Sequence, residues 1–178
     1  MTLDDFFFIH IPKTGGTYVK FSLPDLPCAR KYNSTTHATV EEAKDLIGSR
    51  TLFTVVRNPY DWIESFYFWN INGAKVRKRN PEVQKYKTFQ DFILNDGFVH
   101  FGLKQSDYIG NSILPNNILK TENLTVELTN FLKINGVQHD VLQEKIRVNE
   151  LKEKVMWTED MKAIVQHYYA DDFKLGYL

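Results

Sequence analysis

The residues with the clearest chemical potential lie in a short loop behind an apolar run. The run FFFIHI is followed directly by the loop PKTGGT. Two adjacent glycines, Gly15 and Gly16, let backbone N–H groups approach an anion closely, and a helix behind them would present its positive end. Lys13 adds a point charge, and Thr17 adds a hydroxyl donor. The pattern predicts a phosphate-binding loop, with a turn in which the glycines serve only backbone geometry as the alternative.

The lysine of this loop stands before the glycines. In the usual nucleotide-triphosphate pattern, G-x-x-x-x-G-K-[ST], the lysine follows them. No glycine in this chain lies five residues before a Lys-Ser or Lys-Thr pair. The order of the residues therefore indicates a phosphate ligand other than the triphosphate of a P-loop enzyme.

A second strand end carries related chemistry. The apolar run TLFTVV, residues 51–56, leads into Arg57, whose guanidinium can bind a phosphate through two hydrogen bonds. The helix behind it begins at Asn58 and Pro59, and Ser65 lies two turns along on the same side as Asn58. A structural ion pair for the arginine and a neutral helix position for the serine are the alternatives. Two anion-binding strand ends in one small sheet predict a ligand with two separated phosphates.

The two motifs, HIPKTGGT and RNPYDWIESFY, resemble the cofactor-binding motifs of the sulfotransferases. The resemblance is nearest to the group of the heparan sulfate 2-O-sulfotransferases and their compact bacterial relatives. It extends over nearly the whole chain through less specific segments, with one departure at Lys120, where relatives usually carry arginine. It implies 3′-phosphoadenylyl sulfate as the donor, with its 5′-phosphosulfate on the first loop and its 3′-phosphate on the second motif. The matching residues are Lys13, Thr14, Gly15, Gly16 and Thr17 in the first, and Arg57 and Ser65 in the second.

The resemblance also implies the reaction, an in-line transfer of a sulfuryl group to an acceptor hydroxyl without a metal. A carbohydrate is the expected acceptor, and a tyrosine, a lipid or a small alcohol are the alternatives. Charge grows on the bridging oxygen as its bond to sulfur breaks, and we expect Lys13 to stabilise it. A base with a pKa near neutrality is also needed. The segment THATVEEAKDLI resembles the family segment that supplies a catalytic histidine, which identifies His37. Glu64 and Glu122 are the alternatives, and we expect His10 to be a core histidine.

Alternating strand and helix patterns predict the fold. Short loops join the segments, which favours a single α/β domain over residues 1–178. The resemblance implies that it is a sulfotransferase domain. We expect three layers, α/β/α, around a mainly parallel central sheet, with a P-loop-like phosphate-binding loop. The predicted strands are residues 6–11, 51–56 and the start of NNILKTENL, and the predicted helices are residues 17–23, 40–47, 59–72, 88–94, 125–134 and 158–170.

Composition excludes several classes of protein. The 178 residues include 22 Lys and Arg against 22 Asp and Glu, so no global field indicates a nucleic-acid partner. A single cysteine, Cys28, cannot form an internal disulfide. No apolar run approaches the length of a membrane span. Asp4 and Asp5 are atypical of a signal peptide, and we expect a cytoplasmic location.

Two other functions stay open at this point. One is a P-loop-type small-molecule kinase or nucleotide hydrolase, which would require magnesium. The absence of an acidic Walker B motif from this sequence counts against it. The other is a non-catalytic nucleotide-binding module. The basic segment AKVRKRNPEVQKYK, residues 74–87, is either a solvated surface or a border of the acceptor cleft that favours an anionic acceptor.

Overall fold

The chain is grouped by its contacts into two compact units. The first consists of Met1–Arg57 and Gln105–Arg147, and the second of Asn58–Lys104 and Val148–Leu178. The computed structural model describes residues 1–32, 36–72, 80–141 and 155–177. The single domain expected from the sequence stays a prediction. Residues 74–79 of the basic segment 74–87 lie outside the described residues.

A parallel sheet of three strands lies in the first unit. Its strands are β1 (Phe6–Ile9), β2 (Thr51–Val56) and β3 (Ile118–Lys120), in the order β1-β2-β3. All four residues of β1 and the last four of β2 are buried. Near-continuous apolar runs of this kind are typical of parallel strands covered on both faces. The mixed α/β class with a parallel sheet is thus confirmed, although β1 ends two residues earlier than predicted.

The helices follow the strands in alternation, and several carry the caps that the sequence indicates. In the first unit, Thr39 caps its helix by accepting a hydrogen bond from the Glu42 N–H at 3.1 Å, and the Glu42 carboxylate accepts one from the Thr39 N–H at 2.8 Å. In the second unit, the Asn58 side chain accepts a hydrogen bond from the Tyr60 N–H at 3.0 Å. The α-helices are α1 (Gly16–Ser22), α2 (Val40–Ile47), α3 (Pro59–Asn72), α4 (Phe89–Leu94), α5 (Gln105–Ile109), α6 (Leu124–Ile134), α7 (Glu159–Tyr168) and α8 (Ala170–Phe173).

Aromatic rings join the sheet of the first unit to α6. The ring of Phe131 lies 5.3 Å from that of Phe6 and 4.8 Å from that of Phe53, measured between centroids. Phe8 extends the cluster, with its ring 5.2 Å from Phe53. Pairs at these distances contribute about 0.5–1.5 kcal/mol each beyond the burial of their area. They hold β1 and β2 in register beneath α6, so the loops after both strands start from fixed points.

The second unit has its own core, which is also largely aromatic. Trp62 on α3 and Phe92 on α4 are fully buried, and the Trp62 ring lies 5.8 Å from that of Tyr169. Among the aromatic residues of the segment after Arg57, Trp62 thus belongs to the core, whereas Trp69 is exposed. Among the described residues, no helix combines the length and the apolar character needed to cross a bilayer.

The cap of α2 gives a test of the fold. Replacing Thr39 with alanine removes a hydrogen-bond acceptor for the first turn, and we expect the free energy of unfolding to fall by about 1 kcal/mol. Urea denaturation followed by circular dichroism measures the change. Thr129→Ala is the matched control, because the exposed Thr129 hydroxyl donates to the Thr125 carbonyl of its own helix and caps no helix start. A control as destabilised as Thr39→Ala would contradict the capping role.

Candidate phosphate-binding site

The loop between β1 and α1 has a tight and partly strained backbone. Lys13 has a φ of 65° and Gly15 a φ of 89°. A positive φ is easy for glycine and costly for a residue with a Cβ, so the loop holds Lys13 in an unfavourable conformation. A Cβ at Gly15 would also lie 2.8 Å from the Leu124 side chain. The first glycine is therefore required by both conformation and space.

Threonine hydroxyls hold this loop in place. Thr14 is fully buried, and its hydroxyl donates to the Ile11 carbonyl at 2.9 Å. The Thr121 hydroxyl lies 2.7 Å from the Thr14 carbonyl and 2.9 Å from the Val56 carbonyl. Thr121 directly follows β3, and Val56 is the last residue of β2. The ends of the two neighbouring strands are thus tied to the middle of the loop after β1.

Arg57 is held by the side chain of Gln105. The Arg57 N–H donates to Gln105 Oε1 at 2.8 Å, and Gln105 Nε2 donates to the Arg57 carbonyl at 2.8 Å. Gln105 is only 1% exposed, so this pair is shielded from water. The amide takes the place of a neighbouring strand and fixes the backbone at the residue that carries the guanidinium. Arg57 Nη1 then reaches the Lys13 carbonyl at 3.5 Å.

Two cations from different strand ends consequently lie close together. Burial of its ammonium, followed by the like charge of Arg57, lowers the pKa of Lys13 from 10.5 to about 8. Both effects disfavour the charged amine when no anion is bound. A phosphate or sulfate between the two side chains would reverse both effects, which is the electrostatic property expected of an anion site.

His37 is oriented by the backbone of His10, the residue directly after β1. Its Nδ1 lies 3.0 Å from the His10 carbonyl oxygen. A carbonyl only accepts hydrogen bonds, so Nδ1 carries the proton and Nε2 presents the lone pair. Burial lowers the pKa of His37 below its ordinary value, Lys20 and Lys13 add to that effect, and the hydrogen bond to His10 opposes it. The imidazole is therefore neutral at neutral pH, with its basic nitrogen defined.

His10 lies between the loop and His37. Its side chain is 8% exposed, and its ring centroid is 4.5 Å from that of His37. Burial, with smaller contributions from nearby cations, lowers the pKa of His10 to about 2. The ring is thus permanently neutral over the physiological range. Its core location agrees with the expectation from the sequence.

The structure gathers most of the predicted site residues in the first unit. Ser65 belongs to the second unit, where it is buried on α3, and its shared role with Arg57 stays a prediction. Groups of three or more side chains able to hold a metal ion are not found within the described residues. The predicted residues within the first unit are Lys13, Thr14, Gly15, Gly16, Thr17, His37 and Arg57.

Two residues that shape the site, Gln105 and Thr121, were not predicted from the sequence. Thr121 had a usable signal, because it immediately follows an apolar strand and so occupies the same sheet edge as the two loops. Gln105 had none, since its partner Arg57 lies 48 residues away in the chain. Comparison with protein-family models, with curated proteins and with solved structures yields no match for this chain.

The pKa of Lys13 yields a prediction for stability against pH. Between pH 8 and 10.5 the unfolded lysine keeps a proton that the folded one has lost. Stability therefore rises with pH through this window. We expect the free energy of unfolding of the wild type, minus that of Lys13→Met, to increase from pH 7.5 to pH 10 in urea titrations. Lys133→Met, at an exposed position of α6, is the control. Parallel pH profiles for the wild type and Lys13→Met would contradict the lowered pKa.

Proposed function

We propose that this chain transfers a sulfuryl group from 3′-phosphoadenylyl sulfate to a hydroxyl of a carbohydrate acceptor. The observation that carries the proposal is the approach of Lys13 and Arg57, which come from the loops after neighbouring parallel strands. Two cations held together by neutral anchors favour a ligand with more than one negative charge. The donor is such a ligand, and it supplies the sulfuryl group and a phosphate leaving group.

The loop after β1 would bind the 5′-phosphosulfate. Thr14 shapes the turn from its buried position, and the backbone N–H groups of Gly15, Gly16 and Thr17 are the donors. Lys13 neutralises the charge that grows on the leaving phosphate. Its lowered pKa suits this task. Burial and the repulsion of Arg57 destabilise the ammonium, so a bound anion that offsets them stabilises it strongly.

The second motif would bind the 3′-phosphate. Arg57 offers a planar guanidinium on a backbone fixed by Gln105, and Ser65 supplies a hydroxyl. This assignment rests on the resemblance of RNPYDWIESFY to the sulfotransferase motif. The same proposal includes the finer fold, three layers with a P-loop-like phosphate-binding loop.

His37 would act as the general base. With Nδ1–H donating to the His10 carbonyl, Nε2 is the atom that removes the proton from the acceptor hydroxyl. The histidine is already neutral near pH 7, so no proton has to leave before the reaction. The protonated ring then stays aligned by the same hydrogen bond.

Ligand-induced stabilisation tests the choice of donor. We expect adenosine 3′,5′-bisphosphate to raise the melting temperature, by the equivalent of about 2.7 kcal/mol at 100 times its Kd. ATP with magnesium should have little effect, and the shift with the bisphosphate should shrink in Lys13→Ala. Differential scanning fluorimetry measures both. Equal shifts with the two nucleotides would instead favour a P-loop kinase or hydrolase.

The role of His37 is tested by activity and binding together. His37→Ala should slow sulfuryl transfer by about 10²–10⁴-fold, because a positioned base contributes that much, while the stabilisation by the bisphosphate is kept. Transfer to a panel of oligosaccharides from radiolabelled donor is the measurement. His167→Ala, an exposed histidine on α7, is the matched control. A fully active His37→Ala enzyme would remove this residue from the mechanism.

A further inference from the structure

The imidazole of His10 is enclosed by three groups of the first unit. It stacks on the ring of Phe8, with centroids 5.6 Å apart and planes at 20°. On another side lies the ring of His37, with a centroid distance of 4.5 Å. The backbone of Gly16 provides the third contact. The ring thus has packed neighbours that belong to the sheet, to the proposed base and to the phosphate-binding turn.

The contact with Gly16 is unusually close. A Cβ at this position would lie 2.0 Å from both Cδ2 and Nε2 of His10. Gly16, unlike Gly15, has no positive φ, so its backbone would accept alanine. The glycine is therefore required by the imidazole alone, and the thickness of that ring sets how near the start of α1 can come.

The His10 ring makes its contribution through shape. Its Nδ1 is buried and has no hydrogen-bond partner among the described residues. A buried ring nitrogen without a partner lowers stability relative to an apolar group of the same shape. His37 donates its hydrogen bond to the backbone carbonyl of His10, which any residue at this position would provide.

We propose that His10 is a positioning residue, whose ring is the spacer that sets the distance between the Gly16 backbone and the His37 imidazole. This inference rests on the proposed function, in which the turn at Gly16 binds the donor and His37 activates the acceptor. Donor and base must be held at a defined separation, and a misplacement of about 1 Å can reduce the rate by roughly 10²-fold.

The ring also shields His37 from water. Burial is the leading cause of the lowered pKa of His37, and Lys20 and Lys13 act in the same direction. Lys20 and Arg30 act likewise on His10 itself. Every charged group named here is a cation, so removing the ring lets water reach His37 while the cations stay. The pKa of His37 then rises toward its ordinary value.

A size-swap pair tests the contact itself. Gly16→Ala should lower the melting temperature, because its methyl group meets the His10 ring. The double variant His10→Ala/Gly16→Ala should regain stability relative to the sum of the two single changes, because the methyl enters the space that the ring has left. Additive effects of the two changes would overturn the assigned contact.

A second comparison tests the spacer role. His10→Ala should raise the pKa of His37, measured from its ring proton by NMR, and should reduce kcat by about 10–10²-fold. His10→Leu keeps the bulk without the nitrogens. In this variant we expect the proton affinity of His37 and the value of kcat each to stay within about threefold of the wild type. If His10→Ala fails to fold, His10→Val, which also removes the ring, takes its place in the same measurements.

Two results would overturn the proposal: an unchanged pKa of His37 in His10→Ala, or a His10→Leu enzyme as impaired as His10→Ala. The second would mean that the imidazole itself is needed. The melting temperatures and the NMR titration do not depend on sulfuryl transfer. A chain that transfers no sulfuryl group but shows the coupling and the raised pKa would therefore refute the proposed function and keep the spacer.

Discussion

The site depends on holding two like charges together without an anion between them. Lys13 and Arg57 repel each other, and the repulsion appears in the lowered pKa of the lysine. Hydrogen bonds from neutral groups help to hold them. Thr121 ties the loop to the end of β2, and the buried Gln105 fixes both backbone groups of Arg57. Because these hydrogen bonds join uncharged groups, they do not weaken with salt as exposed ion pairs would.

This arrangement explains why the strained conformation of Lys13 persists. A positive φ at a residue with a side chain is kept only where the surroundings determine it. Here the buried hydroxyl of Thr14 fixes the next residue, and the Thr121 hydroxyl holds its carbonyl. The loop is therefore preorganised, and a bound phosphate would not have to order it. Preorganisation of this kind lowers the cost of binding.

The sequence was sufficient for features set by local rules. The apolar runs predicted β1 and β2, the helical pattern predicted α2, and the Asn58–Pro59 pair predicted the start of α3. Each signal lies within a few residues of the element that it specifies. The two strand-end loops were also predicted, since parallel strands place their carboxyl ends at one sheet edge.

Other features could not be predicted because their partners are distant in the chain. The bond from Thr121 to Thr14 spans 107 residues, and its donor is one hydroxyl among many. The expected strand over residues 6–11 continued the apolar run through His10, although the ladder with β2 stops at Ile9. Ile11 is buried although it belongs to the loop and not to the strand. An apolar run therefore does not show by itself where strand pairing ends.

The electrostatics of the site link the proposed base to the proposed donor. Burial lowers the pKa of His37, and repulsion by Lys13, a proposed anion-binding residue, lowers it further, so the histidine is a weak base. An anion beside Lys13 would offset that repulsion, and the pKa of His37 would rise toward the pH at which the protein works. General bases work best when their pKa lies near that pH. In the proposed transfer, donor binding would thus prepare the base as well as supply the sulfuryl group, and the His37 proton would be accepted next to a newly bound negative charge.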